Sequence, residues 1–392
     1  MAKLRIAIQG CAHGELQNIY DLITKRYGDQ MPDLLLILGD FQSLRGEEDL
    51  SSISVPPKYA RLGDFQDYYS GLKIAPLPTI FIGGNHESMR QLMELPHGGF
   101  VARNIYYIGF SGSLIVRGVR ISGLSGIYKP HDFLRKRPSL KDVQTDGWTR
   151  HVRSLYHVRD SDVSPLFMLP NVDIMMTHDW PQGIAFHGDI KTLLKRKPFF
   201  KKDIDSGRLG SPISWQLLRS ITPHWWLSAH LHIKFEAEVS SGKRAREVQG
   251  SNPDEIDLDL DGLTKEKVHD ESEPSIPAIT RFLALDKCGR GRQHLELIEI
   301  DVDTAHPTYD PEALHLYADP EFLANVRFLE QQPPAKSFTN LDFLELKRQR
   351  GDLAEVNWDH YNLDRFADST ERQQTDKYRD LIEACECIKL ST

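Results

Sequence analysis

Five short polar segments in this chain each close an apolar run of strand length. Cys11-Ala12-His13 follows Leu4–Ile8, Gly39-Asp40 ends Leu34–Leu38, and Gly84-Asn85-His86-Glu87 follows Thr79–Ile82. Thr177-His178-Asp179 closes the run from Ile174, and His230-Leu231-His232 follows Trp225–Ala229. Arg120–Leu124 is a further strand-like run, and helical patterns such as Leu16–Tyr27 lie between the runs. This alternation predicts an α/β protein, built on either a pair of central sheets or one doubly wound sheet. Strand ends converge in such folds, and the carboxyl edge of the sheet is where their sites form.

The donors at those strand ends are of the kinds that hold transition metals. Asp40 supplies a carboxylate able to bridge two cations, Asn85 an amide oxygen, and His13, His178, His230 and His232 imidazole nitrogens suited to zinc, iron or manganese. The His-x-His spacing places both rings of 230 and 232 on one face of an extended segment. Two cations about 3.5–4 Å apart clamp a phosphate and activate water. Taken singly, a Gly-Asp pair is an ordinary turn, and His178 reads equally well as a satisfied core histidine. The ordered set of five is what points to a metal centre.

Charge divides the chain. Residues 1–238 hold 29 Lys+Arg against 24 Asp+Glu, a balance of +5, while the remainder carries −13 of the total −8. Ten basic and three acidic residues lie between Arg103 and Arg153. That stretch suits a polyanionic substrate, with a solvated surface as the equal alternative. No run reaches the roughly eighteen apolar residues of a membrane span, so no membrane association is expected. The N-terminal segment lacks a signal-peptide core, and the four cysteines (11, 288, 385 and 387) show no disulfide or zinc-ribbon spacing. A reducing intracellular compartment is expected. Cys385 and Cys387 read as structurally incidental.

The expected organisation is a catalytic domain over 1–239, a disordered acidic insertion over 240–278, strands over 279–300 that complete the catalytic domain, and a charged, mostly helical C-terminal domain over 301–392. A Pro-rich break falls at Gln332-Pro333-Pro334.

The ordered motifs resemble those of the calcineurin-like metallophosphoesterases, D-x-H, G-D, G-N-H-[DE], H and G-H-x-H, over about residues 4–235. The resemblance implies a four-layer α-β-β-α sandwich with a mostly helical C-terminal extension. It implies one metal on Cys11, His13, Asp40 and His232, a second on Asp40, Asn85, His178 and His230, and His86 unligated beside the phosphate. Two positions depart from the pattern. Ala229 replaces the glycine before the last His pair, and Cys11 replaces the aspartate of D-x-H. A soft thiolate favours zinc or ferrous iron over magnesium or calcium. The alternative is a small buried hydrophobe in a site that has lost one metal.

Further blocks resemble one branch of that superfamily, the RNA lariat debranching enzymes. They include Leu4–Gly14, Leu38-Gly39-Asp40-Phe41-Gln42-Ser43, Pro56-Pro57-Lys58-Tyr59, Leu95-Pro96-His97-Gly98-Gly99, Ser125-Gly126-Ile127-Tyr128-Lys129, Tyr156-His157-Val158-Arg159, Thr177–Pro181, Trp225–His232 and Arg281–Cys288. That resemblance implies hydrolysis of the 2′-5′ phosphodiester at the branch of excised intron lariats, with His86 as general acid. The cofactors implied are two divalent ions, Fe2+ and Zn2+, with Mn2+ able to substitute. It makes 125–150 a lariat recognition loop, and Lys58, Tyr59, Tyr128, Lys129, His157 and Arg159 contacts for RNA; Tyr68 is either another contact or a core residue. Trp225 and Trp226 read as packing residues. Branched intron RNA is the implied partner, with spliceosome-associated proteins beside it, and the nucleus the implied location, the cytoplasm being the second compartment. The rival readings are another dinuclear metallophosphoesterase, such as a nuclease or phosphoprotein phosphatase, and a metal-free scaffold of the retromer-subunit kind.

Overall fold

The computed structural model of the chain describes residues 2–240, 279–332, 338, 341–385 and 387–388. Ser240 closes a strand, and the rest of the expected acidic insertion lies outside the described residues, as does the Pro333-Pro334 break.

Thirteen strands build two sheets. In chain order they are β1 (Ala2–Gln9), β2 (Leu34–Ile37), β3 (Thr79–Phe81), β4 (Gly99–Ala102), β5 (Ile105–Tyr107), β6 (Ser111–Val116), β7 (Val119–Leu124), β8 (Ile174–Thr177), β9 (Trp225–Ser228), β10 (Phe235–Ser240), β11 (Ile279–Ala284), β12 (Leu295–Val302) and β13 (Tyr317–Ala318). One sheet runs β12-β1-β2-β3-β5-β4 and the other β10-β11-β9-β8-β7-β6-β13. Strands β1, β2, β3 and β5 are parallel, as are β7, β8, β9 and β11, so each sheet has one carboxyl edge for its motifs. The chain is therefore a pair of sheets, and the doubly wound alternative falls.

Side-chain alternation explains the layering. Leu4, Ile6 and Ile8 of β1, with Leu34, Leu36 and Ile80, face Ile121, Ile174, Met176 and Leu227 of the second sheet. Ala7, Leu35, Ile37 and Phe81 point the other way, onto Leu16, Ile19, Tyr20 and Ile23 of the helix Leu16–Tyr27. Strands buried on both faces read as continuous apolar runs, which is why these were visible in the sequence. Each such Leu or Ile contributes about 1.5–3 kcal/mol relative to exposure. Helices Asp160–Phe167 and Pro212–Ile221 extend the core with Val163, Leu166, Leu217 and Leu218, completing the four layers.

The segment after β11 does not stand apart. β12 pairs with β1 over its whole length, from Leu295 opposite Gln9 to Val302 opposite Ala2. β13 adds to the edge at β6. The buried Asp319 carboxylate accepts from Ser113 Oγ at 2.7 Å and Arg120 Nε at 2.8 Å, and it caps the helix Pro320–Glu330 through Glu321 N at 3.0 Å. On the first sheet, Gln374 of the helix Glu371–Ala384 exchanges two hydrogen bonds with the Phe100 backbone, at 2.6 and 2.9 Å. The C-terminal region thus braces both sheets. Among the described residues no helix is long and apolar enough to cross a membrane.

Candidate metal centre

All five motifs arrive at one place. Cys11 and His13 lie just past β1, Asp40 past β2, Asn85 and His86 past β3, His178 directly after β8, and His230 and His232 past β9. The first three come from one sheet and the last two from the other. Sharp turns aim them: His13, Asp40, His230 and His232 have φ of 51°, 45°, 60° and 51°. Such left-handed backbone costs a non-glycine residue about 1–3 kcal/mol and collects at functional sites. Gly84 is needed for close approach, because a Cβ there would run into the Asp40 carboxylate and backbone N and into His178 Nε2.

Cys11, His13, Asp40 and His232 each offer a ligand atom, and these lie within 4.8 Å of one another. His13 Nε2 is 3.3 Å from His232 Nε2 and 3.7 Å from Asp40 Oδ2. The other oxygen of Asp40, Oδ1, is 3.4 Å from His178 Nε2, and the His178 and His230 rings are 5.0 Å apart. Asp40 therefore faces two donor groups, one with each oxygen. His178 Nδ1 lies 2.7 Å from the Leu38 carbonyl, so it carries the proton and Nε2 turns its lone pair into the site. That Nε2 and Asn85 Oδ1 are buried without a hydrogen-bond partner. Each orphan costs about 1–3 kcal/mol, and two imidazole nitrogens 3.3 Å apart repel unless a proton or cation lies between them. Divalent cations, one in each donor group, would satisfy all of these atoms, and the donor set fits transition metals.

Electrostatics agree. Burial drives the His230 and His232 imidazoles down to about 3 and about 4, with neighbouring histidines adding to the effect. The rings are thus neutral, as ligands must be. Burial would raise Asp40, yet His178, His13 and His86 hold it well below the ordinary carboxylate range. Burial and Asp40 push the Cys11 thiol well up. A coordinated cation reverses that preference by deprotonating the sulfur.

His86 is held differently. Its backbone N–H donates to Asp40 Oδ1 at 2.8 Å, and its ring Nδ1 donates to the Ser54 carbonyl at 2.7 Å. Nε2 then faces the site, 3.0 Å from Asn85 Nδ2.

Two supporting residues had not been singled out from the sequence. Buried Glu87 accepts from the N–H groups of Phe41 (2.7 Å), Gln42 (2.8 Å) and Gly84 (2.9 Å), tying the Asp40 loop to the Asn85 loop. Gln42 Nε2 lies 3.4 Å from His13 Nδ1. The fourth position of Gly-Asn-His-Glu was the available signal for Glu87.

The expected RNA contacts divide. Lys58 and Tyr59 are exposed on the turn Pro57–Tyr59, four and five residues past Ser54, and Lys58 Nζ sits 4.8 Å from the Tyr59 ring centre. Lys129 is exposed. Tyr128, by contrast, is buried with its ring 5.5 Å from Phe133. His157 is buried, with Nδ1 2.6 Å from Asp132 Oδ2. Arg159 is 1% exposed and donates to the carbonyls of His157 (3.1 Å) and Ser154 (2.9 Å). Arg159 and Tyr128 are therefore buried here and present no open face to a base. Tyr68 is a core residue, buried against Tyr20. Trp226 packs in the core and donates to Thr177 Oγ1 at 2.9 Å. The 125–150 segment is largely helical, over Pro130–Phe133, Leu140–Asp146 and the start of Trp148–Leu155. Arg137 anchors it, 3.6 Å above the Phe110 ring and paired with Asp162 at 2.8 Å.

The paired sheets and the donor cluster at their shared edge define a metallophosphoesterase, and the calcineurin-like phosphoesterase family model matches residues 4–234. A second model, the C-terminal domain of lariat debranching enzymes, matches residues 277–381 and so takes in β11 and β12. The chain is 47% identical over 381 residues to the lariat debranching enzyme of Saccharomyces cerevisiae, covering 93% of this chain and 94% of that one. It is 43% identical to the Drosophila melanogaster enzyme (83% of this chain, 62% of that one) and 41% identical to the human enzyme (78% and 51%). The chain belongs to the lariat debranching enzyme family. It spans half to three fifths of the length of these two animal relatives.

Proposed function

We propose that this chain hydrolyses the 2′-5′ phosphodiester at the branch nucleotide of excised intron lariats, yielding linear RNA for turnover. The observation that carries the reading is the Cys11-containing donor cluster, set in a chain that matches the yeast debranching enzyme almost end to end. When bound, two divalent cations neutralise charge on the phosphate and activate water. Cys11, His13, Asp40 and His232 would hold one, and Asp40, Asn85, His178 and His230 the other. The thiolate and imidazoles favour ferrous iron and zinc, with manganese able to substitute. His86 keeps its Nδ1–H on the Ser54 carbonyl and, protonated at Nε2 as well, would pass that second proton to the departing 2′-oxygen. Lys58 and Lys129 meet phosphates, and Tyr59 offers an exposed ring to an unstacked base. His157 holds Asp132 through Nδ1 at 2.6 Å. Nuclear residence and contact with spliceosome-associated proteins follow from the substrate; imaging of the tagged chain and its co-purification with intron lariats test them.

Turnover of a 2′-5′ branched RNA, a 3′-5′ linear RNA and an aryl phosphate discriminates among the phosphoesterase readings. The branched RNA should be cut to give a 5′-phosphate and a free 2′-hydroxyl. Preferential cleavage of the linear RNA or aryl phosphate would sink the assignment.

A further inference from the structure

Debranching, the reading on which this inference rests, poses a geometric problem: three strands leave one branch nucleotide and must run off across the protein. The expected contacts at 58–59 and 129 were all drawn from segments near His86 or the 125–150 helices. A second surface lies on the side of His13 and His232. The turn between β11 and β12 is fastened to the Cys11 loop, with Cys288 N–H donating to the Cys11 carbonyl at 2.8 Å and Gly10 N–H to the His294 carbonyl at 3.0 Å. This turn carries Lys287, whose charge reaches both the His13 and His232 rings, and Arg292. The end of the helix Ile190–Arg196 leans on it, through Arg196 Nη1 donating to Gln293 Oε1 at 3.1 Å.

Two features set this surface apart from an ordinary solvated charge run. First, its cations are crowded and only partly compensated. Among the described residues only Arg292 has a carboxylate within ion-pair distance, Asp286 at 2.7 Å, while Arg196, Lys197 and Lys287 have none. Burial, and then the charges of Arg292, Lys287 and Arg196 acting against Asp286, hold Lys197 below the ordinary lysine range. Second, an aromatic ring stands among them. Lys197 Nζ is 5.8 Å from the ring centres of Phe199 and Phe200; Phe200 is buried, but Phe199 is 68% exposed. Crowded cations are relieved by phosphates, and an exposed ring offers a stacking platform to an unpaired base of any sequence. An acidic protein segment would use the charges but leave the ring without a purpose.

We propose that Arg196, Lys197, Lys287 and Phe199 form a track for one single-stranded arm of the branched RNA as it leaves the metal centre past His13 and His232. Sequence tolerance is expected, since the track meets backbone phosphates and a base face.

The test uses the full chain with Arg196→Ala/Lys197→Ala and Phe199→Ala, all at exposed or half-exposed side chains. Branched RNAs with long arms and with one-nucleotide arms are compared for KM and kcat, and binding of an unbranched 20-mer is followed against salt. The double variant should lower the slope of log K against log salt by about 1.4, at about 0.7 per phosphate contact on a single strand. Phe199→Ala should raise KM for the long-armed substrate about fivefold or more, the loss of one stacked base. All variants should cleave the short-armed branch at the wild-type rate. Unchanged salt slope and unchanged long-arm KM would overturn the track, and that is also the outcome if the surface serves an acidic protein. A wild-type chain that fails to cut even the short-armed branch would instead refute the debranching reading itself.

Discussion

Glu87 touches no expected substrate atom, yet its replacement should be among the most damaging in the site. Its buried carboxylate is the shared acceptor for three backbone N–H groups, two on the Asp40 loop and one on the Asn85 loop. Oε1 serves Phe41 and Gly84, and Oε2 serves Gln42. In Glu87→Gln the amide oxygen in the Oε1 place keeps two of these bonds, while its NH2 group opposes the Gln42 N–H, donor against donor. One unsatisfied buried N–H costs about 1–3 kcal/mol, so a loss of about 2 kcal/mol is expected. Glu87→Ala strands all three, and allowing for water entering the vacated space the loss should be about 4 kcal/mol. Against a typical total of about 5–15 kcal/mol, the alanine variant keeps a fold but loses much of its margin. Urea unfolding reads this as a falling midpoint at constant slope. Metal content measured beside it should fall in the same order, because Asp40 rides on the released loop. If Glu87→Ala unfolds within about 0.5 kcal/mol of wild type, the range of ordinary surface substitutions, the clamp plays no part and the reasoning fails.

Other consequences follow from the same geometry. Cys11→Asp should retain a competent centre but shift its preference from zinc and iron toward harder manganese or magnesium; activation curves with each metal check this, and superimposable curves would contradict it. Gly84→Ala forces a methyl group against the Asp40 backbone and His178 Nε2, so it should destabilise by about 1–3 kcal/mol and empty the centre, read by thermal unfolding and metal analysis. Tyr59→Ala should raise KM for branched RNA by about fivefold or more, one stacked base, with kcat held; a fall in kcat at constant KM would give Tyr59 a different role.

The sequence revealed the core and the donors for one physical reason. Strands buried on both faces leave unbroken apolar runs, and each ligand sits where such a run stops. β8 was delimited as Ile174–Thr177, as the structure has it, and the helix Leu16–Tyr27 likewise. The strands β4 and β5 escaped notice because they are short, and β4 opens on Gly99 at the edge of its sheet; β6 begins with Ser111-Gly112-Ser113, which reads as a turn. β10 alternates strictly but borders the acidic stretch, whose composition masked it. Docking of the C-terminal region could not be read, since it depends on single long-range contacts such as Asp319 with Arg120 and Gln374 with Phe100. Arg159 and Tyr128, expected as RNA contacts, are buried in this structure. Arginines and tyrosines serve RNA contacts and buried struts alike, and only burial separates the two uses.

His86 is a proton carrier beside the metal centre and not one of its ligands. Elemental analysis and single-turnover cleavage of branched RNA by His86→Ala test that directly. The variant should carry wild-type metal content and cleave about a hundred- to ten-thousand-fold more slowly, the ordinary contribution of a general acid. Loss of metal with the imidazole, or cleavage at the wild-type rate, would contradict it.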